Sequence, residues 1–105
     1  MASLGIDIGE DDGGLGGTPF DTMALMLALG GGLSREPFVS ACVLAPAILR
    51  HAQAAMRARL LPAIAQGKAL VALALAEEAG QFDFAHVTTR AAPHGDGLTL
   101  DGAKS

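Results

Sequence analysis

Tryptophan and tyrosine are absent from the 105 residues, and only four phenylalanines occur. Without large aromatics an interior has to be packed from Ala, Leu, Val, Ile and Met, a mixture that favours helices. The same scarcity removes the stacking platforms on which single-stranded nucleic acid is read. Basic charge is sparse too: seven Lys and Arg stand against eleven Asp and Glu, for a net charge of −4. With no dense basic stripe, nucleic acid is not an expected partner. A lone cysteine, Cys42, set in an apolar run, excludes an intrachain disulfide framework, and a cytoplasmic setting is the default expectation. Uncharged stretches such as residues 37–49 fall short of the roughly twenty apolar residues a membrane-spanning helix requires, so no membrane span is expected. The acidic start, with Asp7 and no basic cluster, does not read as a signal peptide.

The charge that is present is uneven. Residues 1–21 carry five acids and no base, residues 22–68 carry five bases against Glu36, and the remainder returns to −3. At this length one compact domain is expected and two full ones are not, since folding removes only about two-thirds of the unfolded surface from water.

Glycine and proline mark the elements. Gly13-Gly14-Leu15-Gly16-Gly17 predicts a flexible connection; it lacks the preceding strand, the lysine and the hydroxyl of a phosphate-cradling loop. Thr18, Pro19 and Asp21 then predict a helix start, as cap, first helical residue and capping-box acid. That helix should run to Leu29 and stop at Gly30-Gly31-Gly32. A second helix is predicted over residues 37–51, with Phe38, Cys42, Ala45 and Leu49 on one face and Val39, Val43, Leu44 and Ala47 over most of the rest. Such a helix is normally buried on all sides, which a chain this short can hardly achieve. Pro46 should kink it. A third helix, residues 53–65, repeats Met56, Leu60, Leu61 and Ile64 at helical spacing with Arg57 and Arg59 toward solvent; Pro62 should interrupt it and Gly67 end it.

The period then changes. Residues 69–76 form an apolar run of strand length, and residues 87–92 and 98–100 read as strands flanking a turn at His94-Gly95-Asp96-Gly97. The fold class is therefore α+β: mainly helical over residues 1–67, followed over 68–105 by the first strands of an antiparallel β-domain. Asp101-Gly102-Ala103-Lys104-Ser105 reads as an Asp-Gly hairpin turn with its return strand cut short, so the chain is expected to be truncated.

The residues alone assign no catalytic group. His51, His86 and His94 lack the spacing of zinc ligands or of a nucleophile and base pair. Glu10-Asp11-Asp12 lacks the ligand spacing of a calcium loop and reads as a solvated turn, so no metal is expected. Cys42 reads as a small core hydrophobe.

One segment carries a specific resemblance. The apolar run into Glu77, then Asp83, Thr88 and Thr89, Gly95-Asp96-Gly97 and Asp101-Gly102-Ala103-Lys104-Ser105 resembles in order and spacing the acyl-CoA dehydrogenases. There a strand ends in Thr-Glu-Pro, followed by Gly-Ser-Asp, Thr-rich residues, Gly-Asp-Gly and Asn-Gly-x-Lys. Upstream, Gly5, Gly13-Gly14-Leu15-Gly16, Arg35-Glu36-Pro37-Phe38 and residues 59–67 resemble the family's earlier segments. The stretch from Gln81 to Val87 is similar to the small-subunit type that pairs with a larger homologous dehydrogenase subunit.

The resemblance implies FAD as cofactor, an acyl-CoA thioester as substrate and α,β-desaturation as the reaction. It places Leu73, Leu75 and Ala76 at the flavin edge and Phe82 at the substrate. The departures are as informative. Ala76 stands where the family has a flavin-bonding threonine, and a methyl cannot donate, which leaves the backbone groups of Leu73 and Leu75. Gln81-Phe82 replaces the substrate-contacting Gly-Ser, and Glu78 replaces the proline. In the family the carboxylate base comes from a C-terminal helical domain, so Glu77 and Glu78 are expected to serve loop structure, and the chain alone is expected not to turn over substrate. Two rivals remain: a non-catalytic helical module that binds a partner subunit through the apolar second helix, and a stand-alone regulatory domain.

Overall fold

Thr18 starts the first helix as its side chain predicts. Helix α1 spans Pro19–Gly31; the Thr18 hydroxyl accepts the Asp21 amide at 3.4 Å, and the Asp21 carboxylate accepts the Thr18 amide at 2.8 Å and hydroxyl at 2.6 Å. The capping box is complete. These bonds from Thr18 hold the Asp21 carboxyl below its ordinary value of 3.8. The helix passes Leu29 and runs through Gly30 and Gly31 before Gly32 stops it. Leu25 and Leu29 pack against the buried Phe38, Ala41 and Cys42. That anchored face sustains two further residues despite a propensity cost of about 1 kcal/mol per glycine.

The structure, a computed structural model, describes residues 2–33 and 37–105, so Arg35 and Glu36 of the resemblance lie outside the described residues. The chain divides into two units, Met1–Leu73 and Ala74–Ser105. Helices occupy the first and a two-stranded antiparallel sheet the second, an α+β fold.

In the first unit the glycine-rich segment is not a loose connection. Leu15 donates to the Gly5 carbonyl at 2.9 Å, Gly16 to Ile8 at 2.8 Å and Gly17 to Ile6 at 2.7 Å, folding the loop back on the N-terminal segment. A Cβ on Gly14 would stand 2.1 Å from the Ile8 carbonyl oxygen, so the approach depends on glycine.

The second helical stretch is divided. Val39–Leu44 winds as a π-helix and continues into α2, Ala45–Leu49. Pro46 has no amide to offer the Cys42 carbonyl and crowds it. The backbone answers by widening, with the Ala45 amide reaching the Ser40 carbonyl five residues back, where the sequence predicts a kink. The predicted inner face is buried, Phe38, Cys42, Ala45 and Leu49 included, while Val39, Leu44 and Ile48 remain exposed.

Helix α3 spans Ala54–Ala65 and passes through Pro62 without ending there. Leu61 and Ile64, each 2 % exposed, hold both sides of the proline in a cluster with Ile8 and Leu49. Gly67, at φ +69, closes the helix: its amide reaches Ile64 at 2.9 Å and that of Lys68 reaches Ala63 at 2.8 Å, the Schellman pattern. Arg50 pairs with Asp7 at 3.1 Å and Arg57 with Asp12 at 3.4 Å, exposed contacts that contribute little stability but fix the loop's position.

The predicted strand over residues 69–76 is absent, since among the described residues the only ladder is the hairpin below. Ala69 and Val71 instead pack on the Ile8 cluster, while Leu70 and Leu75 stay exposed. In the second unit β1, Arg90–His94, pairs antiparallel with β2, Gly97–Asp101, in register from Arg90↔Asp101 to His94↔Gly97. Positive φ falls on Gly95 (+58) and not on Asp96, the φ pattern of a type II′ turn. After Asp101 the chain makes no second turn; residues 102–105 are drawn to other partners, described next. No helix among the described residues is long and apolar enough to cross a membrane.

Candidate functional site

Glu77 is the one buried charged side chain among the described residues, at 5 % exposure. Its backbone is extended, and it precedes a short 3-10 turn, Glu78–Gly80. One carboxylate oxygen, Oε2, accepts the Thr88 amide at 2.7 Å and the Thr88 hydroxyl. The other, Oε1, accepts the Thr89 amide at 3.0 Å and hydroxyl at 2.7 Å, and lies 2.8 Å from Lys104 Nζ. A carboxylate offers about four lone-pair sites, and five donors converge on this one.

That saturation decides its chemistry. The Lys104 ammonium first, then the Thr88 and Thr89 hydroxyls and the Thr88 amide, hold the Glu77 carboxyl far below its ordinary 4.5, against an opposing push from burial. An ionised carboxylate whose lone pairs are all engaged cannot serve as a general base without first breaking its own bonds. Glu77 is a clamp. It ties the start of the unit to the residues before β1 and to the segment after β2.

The clamp acts on the main chain beside it. Lys104 Nζ also lies 3.5 Å from the Leu75 carbonyl, and the Ser105 amide donates to the Ala76 carbonyl at 2.9 Å. Gly102 (φ +152) makes the return possible, because a Cβ there would stand 2.4 Å from Thr89 Oγ1. This replaces the predicted Asp-Gly turn: the ammonium is drawn to the carboxylate and the last amide to a carbonyl. A cavity of about 470 Å³ opens beside the clamp, lined by Glu78, Thr88, Ala103, Lys104 and Ser105 among others.

The residues expected at cofactor and substrate fall as follows. Leu73 ends the first unit. In the second, Leu75 is half-exposed, Ala76 is partly buried, and the clamp engages both of their carbonyls. Phe82 is 93 % exposed in the turn after Gln81. Gln81 itself sits at φ +50, ψ −109, a conformation that favours glycine, at the position where the resemblance expects one. Asp83 accepts the Ala85 amide at 3.0 Å, and its carbonyl accepts the His86 amide at 3.1 Å.

Whether this segment suits a flavin turns on its donors. Ala76 has none in its side chain, and the nearby hydroxyls of Thr88 and Thr89 are spent on Glu77. What remain are main-chain amides, those of Ala74, Leu75 and Ala76 among them, none of which has a partner among the described residues. Any donor this segment offers a flavin edge is therefore a main-chain amide.

Thr88, Thr89 and Lys104 stand in the resembled motifs, but their residue types alone assign them no role. The usable signal was a pair of adjacent hydroxyls and a lysine downstream of an acid that ends an apolar run. Among the described residues no group of His, Cys, Asp and Glu could hold a metal ion. Comparison with protein families matches residues 1–68 to the family described as "Acyl-CoA dehydrogenase, N-terminal domain". No curated protein and no solved structure matches the chain.

Proposed function

The chain belongs to the acyl-CoA dehydrogenase family, and from that membership we propose that it contributes the N-terminal helical domain and the flavin-edge loop to a cytoplasmic enzyme that desaturates an acyl-CoA thioester at its α,β bond with FAD. We propose further that it is of the pimeloyl-CoA dehydrogenase small-subunit type and partners a larger homologous dehydrogenase subunit. Residues 1–67 would be the end of the helical domain and 68–105 the beginning of the middle β-domain. FAD, when bound, supplies the acceptor for the hydride leaving the β-carbon. The chain's own part is binding and orientation: the Leu75 amide toward the ring, the Ala76 methyl against it, and the Phe82 ring toward the acyl group.

The observation that carries this reading is the family match over residues 1–68, and the engagement of Glu77 by five donors bears on its catalytic part. The carboxylate at the resembled edge loop is a structural anchor, so these 105 residues offer it no role as the α-proton base, and the chain alone is expected to be inactive. Exposed Val39, Leu44 and Ile48, with Phe20, Met23 and Leu27 on α1, support an apolar partner surface.

The test is purification of the chain alone and co-expressed with a homologous large subunit, followed by flavin absorbance and acyl-CoA oxidation with a dye acceptor. The expected result is flavin and turnover in the pair and no turnover by the chain alone. Turnover by the chain alone, or a pair without flavin, overturns it. If a non-catalytic module were correct, the pair would form with neither flavin nor turnover.

A further inference from the structure

We infer that Glu77 and Lys104 act together as a positioning clamp that sets the Leu75–Ala76 main chain for the flavin. The inference rests on the flavin-edge reading above and deepens it by naming residues that touch neither substrate nor cofactor.

Ala76 has no hydroxyl, so main-chain amides such as those of Leu75 and Ala76 are the donors left in the second unit's edge segment, and a main-chain donor is only as well placed as the backbone that carries it. That backbone belongs to no ladder among the described residues. Its placement comes from two contacts with the last residues: Lys104 Nζ at 3.5 Å from the Leu75 carbonyl and the Ser105 amide at 2.9 Å from that of Ala76. Lys104 is in turn held 2.8 Å from Glu77 Oε1, and Glu77 is held by Thr88 and Thr89. The peptide groups on either side of Ala76 are thus fixed through a buried carboxylate anchored on the residues that lead into β1. Where the resembling enzymes place a side-chain donor, this chain relies on a held backbone.

The bonds also divide the labour. Thr88 and Thr89 satisfy the carboxylate whether or not Lys104 is present, while only Lys104 reaches from Glu77 to a carbonyl of the edge segment. Losing the ammonium should therefore loosen Leu75 and Ala76 while leaving the β-hairpin paired.

The test uses the full chain with its partner subunit and bound flavin, in wild type, Lys104→Met, Lys104→Arg and Thr89→Val. Amide hydrogen exchange is read at Ser105 and at Thr99, whose pairing with Ala92 is a hydrogen-bonded pair of the hairpin, and the visible spectrum of the flavin is recorded. In K104M the Ser105 amide should exchange about tenfold faster with Thr99 unchanged, and the flavin band should shift or the flavin be lost. K104R should restore both. Should K104M fail to fold, T89V, which deletes one donor of five, should give smaller changes of the same kind. A K104M protein, or in its place T89V, with wild-type exchange at Ser105 and a wild-type flavin spectrum overturns the clamp. So does faster exchange with an unaltered spectrum, since it leaves Lys104 a purely structural role. A wild-type complex without flavin overturns the functional reading and the clamp with it, and that failure is visible before any variant is made.

Discussion

The ammonium of Lys104 lies 2.8 Å from Oε1 of Glu77, and the carboxylate it meets already accepts the amides and hydroxyls of Thr88 and Thr89. A folded-state carboxyl held below its ordinary 4.5 contributes stability above that value and loses the contribution as pH falls beneath it. Replacing Glu77 with Gln keeps the shape and removes the charge. The wild type should therefore protect the Thr88 and Thr89 amides from exchange more strongly than E77Q at pH 6 to 7. The difference should narrow as pH is lowered below 4.5. A gap that stays constant from neutral pH to strong acid would show that the carboxylate's charge is not what the site uses.

Gln81 provides an independent test. At φ +50, ψ −109 it occupies a region that L side chains avoid, and such positions cost on the order of 1–3 kcal/mol. Glycine has no such penalty but loses more backbone entropy on folding, roughly 0.5–1 kcal/mol. The balance favours Gln81→Gly by about 1 kcal/mol, measured as an upward shift of the denaturation midpoint. A downward shift would mean that the Gln81 side chain makes contacts worth more than the strain.

What was legible in the sequence was local. The Thr18–Asp21 box, the Gly67 closure and the Gly95-Asp96 turn each depend on residues within a few positions of one another, so residue type and spacing suffice to foresee them. The buried face of Phe38, Cys42, Ala45 and Leu49 was legible for the same reason, since helical spacing alone places them together. The clamp was not, because Glu77 reaches partners eleven and twelve positions on, and threonine and lysine stand mostly on surfaces. The run over residues 69–76 misled because apolar residues that pack on a helical cluster and apolar residues in a strand look alike over so short a span. Pro46 and Pro62 each signalled a break, and whether the helix widened or simply continued was decided by packing around them.

Gly30 and Gly31 lie inside α1, neither has positive φ, and a Cβ on either would meet nothing within 4 Å. Their only effect on the helix is entropic. Gly30→Ala and Gly31→Ala should each stabilise the first unit by roughly 0.5–1 kcal/mol, read from urea denaturation followed by far-UV circular dichroism. Destabilisation by either would mean that the close of α1 needs glycine for a contact, which the open space around both Cβ positions argues against.

Gly14 is the opposite case. A Cβ there would stand 2.1 Å from the carbonyl oxygen of Ile8 and 2.5 Å from its Cβ, and Ile8 is itself 2 % exposed in the cluster with Leu49, Leu61 and Ile64. Neither side can yield cheaply, because the Ile8 carbonyl also accepts the Gly16 amide at 2.8 Å. Gly14→Ala should therefore cost about 3 kcal/mol or more, the upper range for overpacking. Gly9→Ala, a few residues earlier with nothing within 4 Å of its Cβ, should stay within about 0.5 kcal/mol of wild type. The pair is compared by thermal melting of the full chain. Equal melting temperatures for the two variants would show that the loop is not folded back on Ile8 in solution, and with it would go the view that this glycine-rich segment is a built part of the core.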